Sequence, residues 1–414
     1  MKLAVLINSL GLGGTEKAAG RWARGLQARG HAVTVLTLAD GPRRAELEAF
    51  KIPVRTVAAQ ASVVAEALRD LGPEVIHAHA PGYPHSGDVL GAALKLLPQK
   101  IPVVQTNVFG RLENPREEAW TDYRLFISWT SGVQAARRSF RKLEADFFRH
   151  ASVAVYPLDP VEPASAAEIA AFRQQHGVAD DEILFGRLAR PEPNKWSPLV
   201  VDAFRRAQRC HPKLKLLLRE PPPLVADELR AAPDADRFVL LPATLEAEEL
   251  RLTLSALDVV LHTSSIGESF GYGIAEPMNL GKPVLTHSVP WQDQAQIELV
   301  RHGVCGFVTS TPAAMSAAMV KLAADSELRQ TMGRQAQRHI RTLADPEVSL
   351  NRLETLLRSA LKRRPNPLAP GDLVKARDAA AYLDAHQFGH SWREQLALRP
   401  FYYRVRFHEF RKSL

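Results

Sequence analysis

Short apolar runs alternate with amphipathic stretches along the first 160 residues. Leu3–Ile7 is the first predicted strand, and Ala18, Trp22 and Leu26 then recur at i, i+4 and i+8 within a helix predicted from Glu16 to Arg29. The same alternation predicts further strands at Ala32–Leu36, Val54–Val57, Glu74–His79 and Ile101–Thr106, and a helix at Ser62–Asp70. Strands that alternate with helices predict a parallel sheet covered on both faces.

A proline-rich segment, Tyr156–Pro163, interrupts this rhythm and predicts a domain boundary, because proline favours extended linker geometry. The alternation then begins again, with strands predicted at Ile183–Gly186, Leu214–Leu218, Phe238–Leu241, Asp258–His262 and Pro283–Thr286. We therefore expect an α/β fold with two doubly wound, Rossmann-like domains, residues 1–160 and 161–345. Such sheets bind ligands at the carboxyl ends of their strands, so a cleft between the domains is the expected site.

The last part of the chain predicts helices. Residues 346–364 carry one apolar stripe along a helix, formed by Leu350, Leu353, Leu356, Leu357 and Leu361. A helical extension, 365–414, follows and ends in a tail where five basic residues alternate with aromatic ones from Arg399 to Lys412. Two interpretations of the tail stay open: a terminal helix docked on the first domain, or peripheral contact with an anionic membrane.

Composition narrows the classes of protein. The 414 residues are 46% hydrophobic and 24% charged, as in globular proteins, and no apolar run is long enough to span a bilayer. The apolar start, Met1–Asn8, is too short for a signal peptide. Two distant cysteines, Cys210 and Cys305, fit a reducing cytosol. The net charge of +8 favours an anionic partner, but without a zinc-finger or RNA-binding motif we expect no nucleic acid.

The strongest chemical signal is the segment Gly267–Pro277, which follows a predicted strand and the loop Thr263–Ser265. Its glycines predict a turn into a helix that starts near Phe270 or Gly271, and the free N–H groups of a helix start favour a phosphate. Glu268 is then placed before the helix, near the group linked to the phosphate, and Glu276 inside it, where it can accept hydrogen bonds from a ribose diol. The alternative is a solvated loop with two surface glutamates.

This segment resembles the paired-glutamate motif of the retaining glycosyltransferases of family 4, which have the two-domain GT-B fold. Other stretches agree in order over residues 1–362: Gly11–Glu16, Gly186–Lys195, Gly281–Val284 and Gly303–Val308. The resemblance implies that Glu276 binds the nucleotide ribose, that Glu268 contacts the transferred sugar, and that the backbone of Ser269, Phe270 and Gly271 meets the diphosphate. It also implies that Gly13 and Gly14 face the donor phosphates and that helix 346–364 crosses back to the first domain.

Some residues depart from the family pattern. The lysine of the glycine-arginine-lysine motif is Lys195, and its arginine is either Arg187 or Arg190, of which Arg190 has the more usual spacing. Asn107 stands where the family often has a histidine that lines the sugar site. His79 is a candidate substrate contact. A metal bound by His77 and His79 is the weaker interpretation, since we expect one of two residues so close on a strand to face the core and the other to face the cleft.

The resemblance implies transfer of a sugar from a nucleotide-sugar donor to a glycan or glycolipid acceptor, with retention and without a metal or other cofactor. Lys195, an arginine and the helix start then stabilise the diphosphate that leaves. We expect the protein to be located in the cytoplasm. Association with the inner face of the cytoplasmic membrane stays open. Alternatives are a non-catalytic relative acting as a scaffold, a nucleotide-sugar epimerase, and a phosphorylase, which the chain length disfavours.

Overall fold

The protein is described by a computed structural model. It covers residues 1–80, 89–112, 119–138 (without the side chain of 138), 143–144, 146–192, 195–197, 199–244, 246–289 and 292–387. The basic and aromatic tail therefore lies outside the described residues. The described chain forms two compact units: unit 1 comprises Met1–Pro157 and Ala344–Ala381, and unit 2 comprises Leu158–Leu343 and the end of the last helix from Tyr382 to Gln387.

Unit 1 contains a sheet of seven parallel strands in the order β3-β2-β1-β4-β5-β6-β7. Its strands are β1 Lys2–Ile7, β2 Ala32–Thr37, β3 Val54–Thr56, β4 Val75–Ala80, β5 Val103–Asn107, β6 Tyr123–Phe126 and β7 Ala151–Val153. Its helices before the boundary are α1 Gly14–Ala28, α2 Arg44–Ala49, α3 Ala61–Leu71, α4 Val89–Lys95 and α5 Trp129–Arg138, with a 3-10 turn at Phe147–His150.

Unit 2 repeats this plan with six parallel strands in the order β10-β9-β8-β11-β13-β15. These strands are β8 Ile183–Leu188, β9 Leu214–Arg219, β10 Phe238–Leu241, β11 Val259–His262, β13 Val284–His287 and β15 Gly306–Thr309. A separate parallel pair joins β12 Gly267–Glu268 to β14 Asp293–Gln294. The helices are α6 Ala166–Gln175, α7 Leu199–Cys210, α8 Pro223–Ala231, α9 Ala247–Ala256, α10 Tyr272–Asn279, α11 Ala295–Leu299, α12 Pro312–Ala324 and α13 Ser326–Leu343, with a 3-10 turn at Ala235–Arg237.

The prediction of two doubly wound parallel sheets is confirmed. The apolar pattern did not predict three short sheet strands, β6, β7 and β15, which have three or four residues each. Two acidic residues of unit 2, Asp293 and Glu298, are buried. Their exposed fractions are 7% and 6%, and Asp293 lies in the short strand β14 beside Gly267.

The predicted leucine-striped helix is α14, Pro346–Leu361, and the last helix, α15, is Ala369–Gln387. As predicted, α14 returns to unit 1, where it packs on α1 and on strands β4 to β7. Leu350, Leu353, Leu356 and Leu357 are buried, and Leu361 at the end of the stripe is half-buried. The indole of Trp22 on α1 donates a hydrogen bond to Ser349 Oγ at 3.0 Å, which gives the buried ring a partner for its one polar atom.

Glu354 also holds α14 against the segment between α1 and β2. Its carboxylate accepts from Arg29 at 2.8 Å, from the ring of His31 at 3.0 Å and from Arg358 at 3.0 Å. Burial raises the pKa of Glu354, but these three hydrogen bonds outweigh burial and lower that pKa to about 2. The ionised form is therefore the one that the folded unit stabilises.

Within the described part of the chain, no helix is both long and apolar enough to cross a membrane. This result concerns the helices up to residue 387.

Glu354→Gln is expected to lower the free energy of unfolding by about 2 kcal/mol at pH 7, because it removes the charge that three donors hold. The pKa of Glu354 is lower in the folded unit than the ordinary value of about 4.3 in an unfolded chain. Its contribution is therefore complete above about pH 4.5 and is lost as the pH falls toward 2. Urea unfolding of the full chain between pH 7 and pH 3 measures the difference.

The matched control is Glu347→Gln on the same helix. Glu347 also pairs with Arg29, but its side chain is 76% exposed, so the change should cost little. Equal losses for the two variants, or a loss at Glu354 that does not shrink in acid, would contradict the assigned role.

Candidate functional site

The predicted chemistry of unit 2 lies at one place in its sheet. Strands β8 and β11 are neighbours, and the chain order of the strands reverses between them, which is where doubly wound sheets open a crevice for ligands. The loop after β8 carries Lys195, and the loop after β11 carries Glu268. Parallel pairing of β8 with β11 brings both loops to the same edge of the sheet.

Glu268 is the centre of this site. Lys195 Nζ lies 2.8 Å and His262 Nε2 lies 3.1 Å from the same carboxylate oxygen, Oε1, and the Glu268 side chain is only 16% exposed. Burial raises the pKa of Glu268, but the charge of Lys195 and the hydrogen bond from His262 lower it to about 2. The site therefore holds an anion next to a cation at neutral pH.

The two candidate arginines are placed differently. Arg187 is 1% exposed, lies 4.0 Å above the ring of Trp196, and donates to the backbone oxygens of Lys195 and Thr263. Burial lowers the pKa of Arg187 to about 9 against the attraction of Glu268, so the guanidinium stays charged at pH 7. The structure thus brings Arg187 together with Lys195 and Glu268.

Arg190, by contrast, is an exposed residue. Its guanidinium pairs with Glu192 at 2.8 Å, and its backbone oxygen accepts the indole N–H of Trp196 at 2.8 Å. The strand explains the difference between the two arginines. Arg187 is inside β8, where its side chain must lie on a face of the sheet, whereas Arg190 follows the end of that strand.

The turn into α10 is built on glycine. Gly267 has φ +66° and a Cβ there would stand 1.8 Å from the carbonyl oxygen of Asp293, so only glycine lets β12 pair with β14. Gly271 caps α10 with φ +102°, and a Cβ there would meet the stem of Glu268 at 3.2 Å. Helix α10 starts at Tyr272, one residue after Gly271 and close to the predicted start, and the dipole of the helix puts a partial positive charge at this end.

The remaining predicted residues of unit 2 flank this turn. Ser269 is half-buried between Glu268 and the cap, and Phe270 is 2% exposed and packs edge-on against Tyr272 at 5.0 Å. Glu276 is a half-buried residue of α10, about one turn past its start. The paired glutamates therefore flank the amino-terminal end of one helix, with Glu268 before it and Glu276 within it.

In unit 1 the predicted residues also lie where the strand order reverses, between β1 and β4. Gly13 is the residue before α1 and Gly14 is its first residue, with Gly14 exposed. His79 lies near the end of β4 and is 5% exposed, with its ring centroid 5.9 Å from that of Trp22. Burial lowers the pKa of His79 to about 3, and neither ring nitrogen has a hydrogen-bond partner among the described residues.

The expectation that His77 and His79 face opposite ways was wrong. Side chains two residues apart on a strand lie on the same face. The two rings are indeed 4.4 Å apart, and both are buried against Trp22. Within the described ranges, no cluster of three or more histidine, cysteine, aspartate or glutamate side chains is arranged to hold a metal ion.

Asn107, the residue in the family's histidine position, is used by its own loop. Its side-chain amide donates to the carbonyl of Arg111 at 2.7 Å, and its side-chain oxygen accepts from the N–H of Arg111 at 3.0 Å. The side chain is 1% exposed, so both of its functional atoms hold the turn after β5. This geometry gives Asn107 a structural task in addition to the predicted substrate contact.

Sequence reasoning missed two residues that hold Glu268. The sequence predicts His262 only as the last residue of a strand, whereas its ring lies 3.1 Å from the Glu268 carboxylate. Gln296 accepts the backbone N–H of Glu268 at 3.0 Å. The one sequence signal for His262 was a polar residue at the carboxyl end of an apolar strand, next to the paired-glutamate loop. Gln296 gave no signal, because it approaches from α11, which is distant in the chain.

Comparison with known families gives two matches along the chain. Residues 13–183 match the model described as "Glycosyl transferase 4-like domain", and residues 168–339 match the one described as "Glycosyl transferases group 1". Together the two matches cover residues 13–339, which leaves strand β1 and the last helices outside them. A curated relative, the "Putative glycosyltransferase YtcC" of Bacillus subtilis (strain 168), is 24% identical over 224 residues, 51% of this chain. The match spans 53% of that relative, about half its length.

Solved structures with similar folds are also glycosyltransferases or sugar-nucleotide complexes. Anabaena HepE in complex with UDP and glucose superposes with a TM-score of 0.69 at 21% identity, covering 87% of this chain and 100% of HepE. WaaG, a glycosyltransferase involved in lipopolysaccharide biosynthesis, gives a TM-score of 0.60 at 14% identity, covering 84% of this chain and 98% of WaaG. At these identities the likeness concerns the fold, which is that of the GT-B glycosyltransferases.

Gly267→Ala is expected to lower the free energy of unfolding by about 3 kcal/mol or more, because the methyl group would collide with the Asp293 carbonyl. The matched control is Gly303→Ala, which has a similar φ of +75° but no atom near its Cβ position, and it should cost about 1 kcal/mol. Urea unfolding of both variants measures the difference. Equal losses would show that backbone conformation matters at Gly267 and the close approach of β14 does not.

Proposed function

We propose that this chain, which belongs to the group 1 glycosyltransferases, transfers a sugar from a nucleotide-sugar donor to a glycan or lipid-linked saccharide. The observation that carries the proposal is the Lys195–Glu268 pair, 2.8 Å apart at the start of α10. A cation and a helix start together suit a diphosphate, and a carboxylate beside them suits the hydroxyl groups of a sugar.

In the proposed binding mode the donor lies along the start of α10. The diphosphate meets the positive end of the α10 dipole and the Lys195 ammonium, whose side chain is 21% exposed. Glu276 accepts hydrogen bonds from the ribose diol. Glu268 uses its other oxygen, Oε2, for the sugar, since Lys195 and His262 both bond to Oε1.

The chemical step requires negative charge to be stabilised on the diphosphate as the bond to the sugar breaks. Fixed cations achieve this in a site of low polarity without a metal, and Lys195 with Arg187 behind it supplies them. Arg187 acts mainly through the backbone of Lys195, which it holds in place. We propose retention of configuration and independence of metal ions on the resemblance of the paired-glutamate motif.

The acceptor class rests on the neighbours in structure. WaaG is involved in lipopolysaccharide biosynthesis, and WaaB is a lipopolysaccharide outer core galactosyltransferase. The WaaB structure has a TM-score of 0.63 at 14% identity. We therefore propose a cell-envelope saccharide as acceptor. HepE was solved with UDP, with UDP and glucose, and with UDP-glucose, so a uridine diphosphate donor is the first to test.

Thermal unfolding with UDP, GDP, ADP, dTDP and CDP, in the presence of EDTA, tests the donor site. One nucleotide at about 100 times its Kd should stabilise unit 2 by about 2.7 kcal/mol and raise its Tm by roughly 5 °C. Glu276→Ala should reduce this shift, because it removes hydrogen bonds from a charged acceptor that are worth about 1.5–3 kcal/mol. If none of the five nucleotides shifts the Tm, the donor site is wrong and a scaffold role is favoured.

Alanine at Lys195 and at Arg190 separates the two cations of the motif. Lys195→Ala should lower kcat/KM for transfer or donor hydrolysis by about 100-fold, because it removes a charge beside the diphosphate. Arg190→Ala should change kcat/KM by less than about 5-fold, because Arg190 is exposed and paired with Glu192. Initial rates with the nucleotide sugar found in the binding screen measure both. The opposite order of effects would place Arg190 at the diphosphate.

A further inference from the structure

His262 lies directly behind the proposed sugar contact. It is the last residue of β11, is 7% exposed, and its ring bridges two side chains. Nε2 is 3.1 Å from Glu268 Oε1, and Nδ1 is 3.3 Å from Thr286 Oγ1. The parallel pairing of β11 with β13 puts His262 directly opposite Thr286, so the sheet itself sets the position of the ring.

The chemistry of the two partners decides which nitrogen carries the proton. An ionised carboxylate can only accept, so Nε2 must be the donor to Glu268. Burial lowers the pKa of His262, so the ring is neutral at pH 7 and Nδ1 carries a lone pair. The hydroxyl of Thr286 then donates to Nδ1. The hydrogen bonds thus run in one direction: the Thr286 hydroxyl donates to the His262 ring, and the ring donates to the Glu268 carboxylate.

Three groups fix Glu268 from one side. Lys195 and His262 both donate to Oε1, and Gln296 accepts the backbone N–H of Glu268 at 3.0 Å. Among the residues that the structure describes, Oε2 receives no hydrogen bond. The carboxylate is therefore held by one oxygen while the other is available to a ligand.

Lys195 and His262 are not equivalent when a diphosphate is present. An ammonium on a flexible stem is attracted by every anion within reach, so a bound diphosphate competes with Glu268 for Lys195. A neutral imidazole fixed by Thr286 at its other nitrogen has no such alternative. His262 is then the partner that keeps Glu268 in place while the donor is bound.

We propose that His262 is the positioning residue of Glu268: it holds Oε1 so that Oε2 accepts a hydrogen bond from a hydroxyl group of the donor sugar. This inference rests on the proposed function, because it requires a sugar at Glu268. In this proposal His262, at the end of β11, orients the sugar and does not bind the nucleotide.

The test compares His262→Phe with His262→Gln in the full chain. Phenylalanine keeps the ring and removes both nitrogens, whereas the amide of glutamine can place an N–H close to the position of Nε2. We expect His262→Phe to lower kcat for sugar transfer or donor hydrolysis by about 10- to 100-fold, the effect of one hydrogen bond to a charged group. The kcat of His262→Gln should remain within about 5-fold of the wild-type value.

Binding of the nucleoside diphosphate, measured by calorimetry, supplies the second readout. Binding should change by less than about 2-fold in both variants, because the proposed binding mode places the nucleotide away from His262. The matched control is His339→Phe, another histidine of unit 2, whose ring bonds the backbone oxygen of Glu298 at 3.1 Å and pairs with no carboxylate of the described residues. The control should leave kcat unchanged even if it lowers the Tm.

Several outcomes would overturn the inference: full activity of His262→Phe, a loss in His262→Gln as large as in His262→Phe, or an equal loss in the His339 control. Should His262→Phe fail to fold, Thr286→Val decides, since it removes the hydroxyl that holds the other ring nitrogen, Nδ1, and unchanged kcat in that variant would overturn the role. An unchanged chain that binds no nucleoside diphosphate would instead contradict the proposed function itself.

Discussion

The Glu268 carboxylate keeps its charge although most of its surface is withdrawn from water, and the arrangement around it follows from that requirement. An ionised group can leave water only where charges and hydrogen-bond donors replace its hydration. Here the replacements are Lys195 and His262, and they come from the ends of two adjacent parallel strands. The glycine turn, the short β12–β14 pair and the start of α10 are all held close to this one ionised group.

The features that could be predicted from sequence were local ones. Alternating apolar runs and helical stretches predicted the two sheets, and the glycines between Glu268 and Glu276 predicted the start of α10 within a residue or two. The partners of Glu268 could not be found in this way. His262 depends on the register of β11 with β13, and the choice between Arg187 and Arg190 depends on where β8 ends. Both are properties of strand pairing, which no single stretch of sequence contains.

Unit 1 also has features that the sequence alone did not predict. The spacing of His77 and His79 was known from sequence, but the period of two along a strand puts both rings on the face that α1 and α14 cover. Asn107 was predicted as a substrate contact, but the hydrogen bonds of its side chain were not predicted. Its amide holds the turn at Arg111, an interaction over four residues that a family pattern does not show.

Unit 1 is built from two segments of chain separated by almost the whole of unit 2. During synthesis on the ribosome, α1 and β4 therefore emerge long before α14, the helix that covers them. About 200 residues separate Pro157 from the end of α14, which corresponds to roughly 10–40 s of translation. For that interval the apolar surface around Trp22 and the two histidines is without its cover. The nascent first segment is thus the stage at which this protein would most need a chaperone, although unit 2 can begin to fold meanwhile.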